Sequence, residues 1–292
     1  MSDTIFLTDK NTKCVGVIGA GQMGAGIAQV FASANFSVLL FDVAQKFVDN
    51  AFSGIKSRLE RAVSKGQLTA EQRQQIENNI KTSTNLEGIA HADIIVEAIV
   101  ENEEEKTKLF SNLDTICKRQ TVLASNTSSI SITKLAAATK RPSQVVGMHF
   151  MNPVPVMQLV ELIRGLQTSD NTYNLVRDLT LKLNKTPVTA KRDFPGFIVN
   201  RILIPMLNEA VYVLMEGIAS AEDIDEAMKL GTNQPMGPLA LADFVGLDTC
   251  LAIAQIFHRE FGDDKYRPCP LLVKYVEAGW LGRKTNRGFY QY

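Results

Sequence analysis

The sequence has little of what several classes of protein depend on. Its four cysteines are widely separated and include no C-x-x-C pair, so neither a zinc site nor a disulfide framework is predicted. Lysine plus arginine balance aspartate plus glutamate, 31 of each, which leaves no global field to attract nucleic acid or an anionic membrane. We therefore predict no metal, no nucleic-acid or membrane partner, and reduced thiols in a cytoplasm.

Long hydrophobic runs are also missing. The longest apolar stretch, ILIPMLNEAVYVLM, contains Pro205, Asn208 and Glu209 and is too short and too polar to span a membrane. The opening residues, MSDTIFLTDKNTK, carry no arginine and no long apolar core, so neither a secretory signal nor a transit peptide is expected. What is present is a hydrophobic fraction of 45% in a chain of 292 residues, enough for two domains.

The most informative stretch runs from Cys14 to Asp42. A short apolar run ends in Gly19-x-Gly21-x-x-Gly24 and passes into a helical pattern, and a second apolar run ends in Asp42, 18 residues after the last glycine. Such glycines permit a tight turn and close backbone approach to a pyrophosphate, which the N-terminus of the helix stabilises. This context predicts a dinucleotide site, and Asp42 favours NAD over NADP because it would bind the ribose hydroxyls and repel a 2′-phosphate.

The rest of the first half predicts more of a mostly parallel sheet. Near-continuous apolar runs indicate strands buried on both faces, at 92–100, 121–125, 145–150, 158–163 and 186–190. ENEEEKTKLFSNLDTIC and the charged segment 45–80 have helical patterns, and segment 45–80 lies between the second and third predicted strands. The predicted fold class is α/β, with a Rossmann-type NAD-binding domain over residues 1–193 and an all-helical domain over residues 194–292.

The second half contains three helical patterns. Residues 197–215 form a helix that is apolar nearly all round, a second helix begins at Ser220 and ends at Gly231, and LADFVGLDTCLAIAQIFHREFG predicts a third. A small helical domain cannot easily bury the first of these helices alone. We therefore expect this domain to form the interface of a homodimer.

His149 is one of only three histidines and ends the apolar run VVGMHF, immediately before a segment with two prolines. A histidine at the end of a strand is often a buried residue with its ring nitrogens bonded to nearby backbone. It is equally placed to stand at the mouth of a site. These residues alone leave both interpretations open.

Seven motifs along the chain, taken together, are specific to one family. GAGQMGAGIA, VEAIVENEEEK, SNTSS, GMHFMNPVPVMQLVE, PGFIVNR, AMKLG with PMGP and LADFVGLD, and GRKTNRGFY resemble 3-hydroxyacyl-CoA dehydrogenases, and most of all the short bacterial 3-hydroxybutyryl-CoA type. The resemblance covers residues 13–292. It implies NAD-dependent hydride transfer between an (S)-3-hydroxyacyl-CoA and a 3-oxoacyl-CoA. The acyl chain stays open, since 3-hydroxybutyryl-CoA and 3-hydroxyadipyl-CoA are both compatible, and so do the pathway and its direction.

The resemblance also implies catalytic roles. The histidine of the family's HF-x-NP motif is the general base, which is His149 here, and a glutamate 12 residues on, Glu161, orients its ring and stabilises the imidazolium. Glu161 lies within the apolar run QLVELI, where a carboxylate without a partner would be costly. Ser128 matches a serine that hydrogen-bonds the reacting part of the substrate, and Asn200 matches an asparagine of the helical domain that completes the site. These roles favour catalysis for His149.

Binding residues carry over in the same way. The implied cofactor contacts are Gly19, Gly21, Gln22, Met23, Gly24, Asp42, Glu101, Lys106, Ser128, Asn152 and Lys284. By themselves Lys106 and Lys284 look like solvated surface lysines. The family binds CoA through a serine and a lysine on the helix after the acidic residue, and through the substrate serine, Ser128. Lys65 matches that lysine, whereas Arg58 replaces the serine, with Ser57 adjacent and Arg61 nearby to bind CoA phosphates.

Two alternatives differ in what they require. β-Hydroxyacid dehydrogenases of the 3-hydroxyisobutyrate and 6-phosphogluconate type share a glycine loop and a helical second domain, but their acid/base lysine lies four residues before an asparagine. The residue four before Asn200 is Gly196. The other alternative is a cofactor-binding sensor or structural protein without catalysis, for which a missing base would be typical. His149, Glu161, Ser128 and Asn200 are all present.

Overall fold

The computed structural model describes residues 12–292, which form two compact units, one ending at Asp193 and the other spanning Phe194–Tyr292. The expectation that no targeting segment opens the chain concerns mainly residues 1–11, which lie outside the described residues. Each unit has its own buried apolar cluster.

The first unit is built on one eight-stranded sheet. The strands follow the order β3-β2-β1-β4-β5-β6-β7-β8, and all neighbouring pairs are parallel except β6 and β7. They are β1 (Cys14–Ile18), β2 (Ser37–Phe41), β3 (Ile80–Ser83), β4 (Ile94–Glu97), β5 (Val122–Ser125), β6 (Val145–Phe150), β7 (Leu159–Ile163) and β8 (Thr186–Ala190). The predicted Rossmann-type, mostly parallel sheet is confirmed, and β1 and β4 meet where the strand order reverses.

Helices cover this sheet because its central strands are apolar on both faces. Every residue of β4, β5 and β6 is buried. The covering helices are α1 (Gln22–Ser33), α2 (Gln45–Ser64), α3 (Ala70–Asn78), α4 (Glu103–Ile116), α5 (Ile132–Ala137) and α6 (Asp170–Lys182). Such strands read as continuous apolar runs, which is why the sequence located most of them.

The edge strand β3 was not predicted. The segment 45–80 was interpreted as helical, whereas the chain leaves α3 at Asn78 and forms β3 from Ile80. The sequence of β3, IKTS, buries only its first residue fully. A strand at the edge of a sheet needs no apolar run, so its pattern carries no signal. The predicted strand 92–100 is likewise shortened to Ile94–Glu97, because the chain turns into a loop there.

The second unit is helical, as predicted. Its helices are α7 (Val199–Met215), α8 (Ala221–Thr232), α9 (Pro238–Val245), α10 (Leu247–Phe261) and α11 (Pro270–Glu277). The single helix predicted from LADFVGLDTCLAIAQIFHREFG is wrong, because the chain bends by 96° between α9 and α10. Gly246 lies at this bend with φ of +103°, a conformation that glycine adopts without strain.

Membrane-spanning helices were tested across residues 12–292. No single helix in this range is long and apolar enough to cross a bilayer. One bent pair, α9 and α10, has the required length and composition when its two helices are counted together.

Candidate active site

The glycine loop joins β1 to α1 and combines two kinds of glycine. Gly19 has φ of +101°, and a Cβ there would lie 2.4 Å from the carbonyl oxygen of Ala98, while a Cβ on Gly24 would lie 1.7 Å from the carbonyl oxygen of Gly19. Packing therefore requires both. Gly21 caps the N-terminus of α1, and a Cβ there would meet nothing within 4 Å. The open space above Gly21, at the positive end of a helix, fits a phosphate-bearing dinucleotide.

Asp42 follows β2 and is tied to the glycine loop. Its Oδ2 accepts a hydrogen bond of 2.7 Å from the backbone N–H of Ala20, and its Oδ1 accepts one of 2.7 Å from Val43. A carboxylate offers about four lone-pair positions, so these two bonds leave capacity for further donors such as ribose hydroxyls. Gln22, in the first turn of α1, donates to Oδ1 of Asn152 at 3.1 Å, which joins two more of the expected cofactor residues.

His149 and Glu161 lie directly opposite each other on the antiparallel strands β6 and β7. The Nδ1 of His149 is 2.8 Å from Oε2 of Glu161, and both side chains are buried, Glu161 completely. An ionised carboxylate can only accept, so Nδ1 carries the proton and donates to it. Nε2 is then the basic nitrogen of the neutral ring. The structure brings together the two residues predicted as the catalytic pair.

The segment between these strands is held by a residue that sequence reasoning missed. Lys185 is 6% exposed, and its Nζ donates to the carbonyl oxygens of Val154 and Met157 at 2.7 Å each. Burial lowers the pKa of this lysine. Val154 also packs against Gly26 of α1, so closely that a Cβ on Gly26 would lie 2.8 Å from the Cβ of Val154. A lysine before a short strand looks solvated in sequence, so no pattern could have identified it.

Ser128 lies after β5 against the carboxylate of Glu101. The backbone N–H of Ser128 donates to Oε1 of Glu101 at 2.9 Å and its hydroxyl lies 3.2 Å from the same oxygen. Thr127 and Ser129 donate to it as well. Glu101 therefore organises the SNTSS segment that carries the predicted substrate serine.

Lys106 differs from its interpretation as a solvated lysine. It is 1% exposed, with Nζ at 2.7 Å from Oε1 of Glu97 and 3.1 Å from Oε2 of Glu101. Two carboxylates compensate the cost of burying its charge. Glu97, the last residue of β4, is fully buried and was not predicted to have any role.

Of the residues expected to bind CoA, Ser128 lies after β5, and the others lie on α2 or at its C-terminal end. Ser57 and Lys65 are exposed, and Lys65 is the C-cap of the helix. Arg58 is half-buried, and its Nε donates to Oε1 of Gln29 at 2.7 Å. Burial lowers the pKa of Arg58, and the neighbouring charge of Arg61 adds to the effect. A buried guanidinium with a second positive charge beside it favours a neighbouring anion.

Asn200 and Lys284 belong to the second unit. Asn200 is half-buried in the first turn of α7. Lys284 is exposed, as interpreted, and forms an ion pair with Asp248 of α10. Its turn is fixed by packing, since a Cβ on Gly282 would lie 2.2 Å from the carbonyl oxygen of Asp243. Across residues 12–292, no three His, Cys, Asp or Glu side chains cluster in a way that could hold a metal ion.

Strand order, glycine loop and the acid after β2 define the first unit as a dinucleotide-binding domain of the Rossmann type. Residues 14–194 match the family model of the NAD-binding domain of 3-hydroxyacyl-CoA dehydrogenase, and residues 196–292 match that of its C-terminal domain. The chain belongs to the 3-hydroxyacyl-CoA dehydrogenase family of NAD-dependent oxidoreductases. This sets aside the β-hydroxyacid dehydrogenase alternative.

Individual relatives match along nearly their whole length. A 3-hydroxybutyryl-CoA dehydrogenase of Bradyrhizobium diazoefficiens is 55% identical, covering 96% of this chain and 95% of that protein. One from Clostridioides difficile is 50% identical, covering 94% and 98%. The crystal structure of (S)-3-hydroxybutyryl-CoA dehydrogenase from Ralstonia eutropha superimposes with a TM-score of 0.93 at 50% identity, covering 97% of this chain and 99% of that one.

Proposed function

We propose that this protein interconverts (S)-3-hydroxybutyryl-CoA and acetoacetyl-CoA with NAD, and that His149 is its general base. The observation that carries the proposal is the buried His149–Glu161 pair at 2.8 Å, in a chain whose relatives are named for this reaction. Bound NAD supplies the hydride acceptor at its nicotinamide ring. The protein must supply the positions of the groups and a place for the proton.

The proton step follows from the tautomer of His149. Oxidation breaks the O–H and C3–H bonds of the substrate, so the hydroxyl proton passes to Nε2 while the hydride leaves C3 and the C3–O bond becomes a carbonyl. His149 then carries a positive charge inside the protein. Glu161, 0% exposed and already hydrogen-bonded to Nδ1, stabilises that charge without any rearrangement. In the reverse direction the imidazolium returns the proton.

Ser128 and Asn200 are proposed as substrate contacts. The hydroxyl of Ser128 donates to Glu101 at 3.2 Å, so its oxygen can accept from the substrate hydroxyl, or its proton can turn to a substrate oxygen, while the backbone N–H remains held by Glu101. Asn200 can donate and accept through its amide, which suits a carbonyl or hydroxyl of the acyl group. Positioning of this kind is worth several kcal/mol of the barrier in well-oriented reactions.

The cofactor contacts remain as predicted from the sequence. Gly19, Gly21 and Gly24 shape the loop, with Gln22 and Met23 in the first turn of α1, and Asp42 would bind the adenosine ribose. Asn152, Glu101, Lys106 and Lys284 are proposed to contact or order the rest of the cofactor. Lys106 would do so indirectly, because Glu97 and Glu101 enclose its ammonium group.

The CoA moiety is proposed to bind along α2, through Arg58, Lys65 and Ser57. The lowered pKa of Arg58 supports this role, since a phosphate beside Arg58 would compensate both its burial and the neighbouring charge of Arg61. The first unit is the NAD-binding domain of the family. We propose the second as the substrate and dimerisation domain of a cytoplasmic homodimer.

Turnover of acetoacetyl-CoA with NADH tests the proposal. We expect oxidation of NADH that depends on acetoacetyl-CoA, and faster turnover of this substrate than of 3-oxoadipyl-CoA. A purified, folded protein that binds NADH but turns over neither substrate would contradict the proposed function and favour the sensor or structural alternative.

A further inference from the structure

Five side chains beside the glycine loop close a hydrogen-bonded ring. Lys106 donates to Oε1 of Glu97 at 2.7 Å and to Oε2 of Glu101 at 3.1 Å. Thr127 donates to Oε1 of Glu101 at 2.5 Å, its own backbone N–H donates to Oγ of Ser125 at 3.1 Å, and Ser125 donates to Oε2 of Glu97 at 2.6 Å. The ring joins the ends of β4 and β5, the loop before α4, the first turn of α4 and the segment after β5.

The ring is buried and its charges do not balance. Glu97 and Ser125 are 0% exposed, Lys106 and Thr127 are 1% exposed, and only the side chain of Glu101 reaches 33%. Two carboxylates therefore share one ammonium. Removing that ammonium would leave two like charges close together where water is scarce, a situation that forces a shared proton onto one of them.

We propose that Glu97 and Lys106 are positioning residues for Ser128. They keep the carboxyl group of Glu101 ionised, so that it accepts the hydrogen bonds of residues 127–129. This rests on the proposed function, in which Ser128 contacts the substrate. Oε1 of Glu101 receives the backbone N–H groups of Ser128 and Ser129 at 2.9 and 3.1 Å, so the segment is fixed by one oxygen atom. A proton on that carboxyl would compete with its donors and release the segment.

Glu101 fits this role electrostatically. Its pKa is lowered to about 2, because the charge of Lys106 and the hydrogen bonds from Thr127 and Ser128 together outweigh its burial. The other charged groups on the surrounding elements are engaged elsewhere. Lys134 of α5 pairs with Glu103 at 3.1 Å, and His149 of β6 pairs with Glu161. Helix α1 carries no ionisable side chain. Glu97 and Lys106 are thus the charged groups that face Glu101.

The experiment measures kcat/KM for acetoacetyl-CoA reduction against pH in wild type, Lys106→Met and the double variant Glu97→Gln with Lys106→Met. Reduction requires protonated His149, so wild-type activity should not fall between about pH 8 and about pH 5.5 as the medium becomes acidic. Lys106→Met should gain an acid limb, losing about tenfold for each pH unit below the new pKa. In the double variant one carboxylate remains, so the limb should move to lower pH and activity at about pH 6 should exceed that of the single variant.

A second measurement is independent of turnover. In wild type, the lowered pKa of Glu101 gives a stabilising contribution that is complete above the unfolded pKa, about 4.3, and therefore constant between about pH 8 and 5. In Lys106→Met the pair has a raised folded pKa, so the deficit in Tm relative to wild type should shrink as pH falls. A deficit that does not change with pH would mean lost packing alone and would overturn the proposal.

Two controls complete the design. Lys108→Met removes an exposed lysine from the same helix, where it pairs with Glu104 at 2.8 Å, and should match wild type. If Lys106→Met does not fold, Lys106→Gln removes the same charge and keeps an amide donor for the carboxylates, while Lys106→Arg retains the charge. We expect the acid limb in Lys106→Gln and none in Lys106→Arg. Identical profiles for these two variants would overturn the proposal, whereas an inactive wild type would overturn the proposed function and leave the Tm measurement to judge the ring.

Discussion

At the scale of single residues, chemistry was easier to predict than surroundings. His149 and Glu161 were expected as a pair, and they lie 2.8 Å apart. Lys106, at the end of ENEEEK, looks by itself like a solvated surface lysine, and it is 1% exposed. Glu101 belongs to the same acidic run. Lys106 is buried where it meets Glu97 at the end of β4. The sequence around Lys106 shows neither its contact with Glu97 of β4 nor how deeply the first turn of α4 is buried.

Replacement of His149 separates a base from a core residue. His149→Gln should lower kcat for hydroxyl oxidation by about 10²- to 10⁴-fold, the usual contribution of a positioned acid/base group, with NADH binding nearly unchanged because the glycine loop and Asp42 are intact. The measurements are kcat, NADH affinity and Tm on the same preparation. A folded variant with wild-type turnover would end the proposal.

The partner residue should act as one unit with the base. Glu161→Gln removes the charge that stabilises the imidazolium and should also lower kcat. Because His149 and Glu161 share one function, the double variant should lose much less than the product of the two single losses. Fully multiplicative losses would indicate that the residues act independently.

Cofactor choice depends on Asp42. A 2′-phosphate would meet this carboxylate, and Val43, Ala44 and Gln45 follow it without an arginine. We expect kcat/KM for NAD to exceed that for NADP. Parity between the two cofactors would refute the assignment of Asp42 to the ribose.

At the scale of elements, apolar strands were predicted well and irregular ones were not. β6 (Val145–Phe150) coincides with the predicted strand, because every residue in it is buried. β3 was missed because only Ile80 is fully buried. The bend at Gly246, which has φ of +103°, was missed because apolar spacing continues across it.

Two glycines of the loop before α1 should respond differently to the same added methyl group. Gly24→Ala would place a Cβ 1.7 Å from the carbonyl oxygen of Gly19, so the helix must shift from β1, and we expect a lower Tm and weaker NADH binding. Gly21→Ala meets no protein atom within 4 Å and has an ordinary φ of −71°, so Tm should be retained. Its NADH affinity should still fall by about tenfold or more, since a Cβ obstructs the close approach of a pyrophosphate.

Thermal melts and NADH titrations of the two variants decide this. Equal losses of Tm would show that Gly21 is required by the fold. Unchanged NADH affinity in Gly21→Ala would mean that the pyrophosphate of the cofactor does not bind at this loop.

At the scale of the whole molecule, the sequence predicted the order of its units from a change in periodicity. Strand patterns end near residue 192 and helical ones follow, and the structure divides at Asp193. What the pattern could not show is how much apolar surface a single chain leaves exposed. In the second unit Ile202, Ile218 and Leu230 are 68%, 67% and 78% exposed. Single exposed apolar residues are common, so this observation alone does not define an interface.

A homodimer is nevertheless expected, because α7 has apolar side chains on more of its surface than the second unit buries. The chain has a mass of 32.2 kDa, and sedimentation equilibrium at micromolar concentration should give twice that mass. A stable monomer at that concentration would rule out the predicted assembly.

The direct opposition of His149 and Glu161 across β6 and β7 also determines which changes in chain length this family member can tolerate. Residues 151–158 join the two strands, so an insertion that leaves Asn152 beside Gln22 and lets Lys185 hold the segment keeps the cross-strand pair intact. One residue added between Leu159 and Glu161 would instead turn the carboxylate to the other face of the sheet. Length variation among descendants of this gene should therefore accumulate between the strands and never within them.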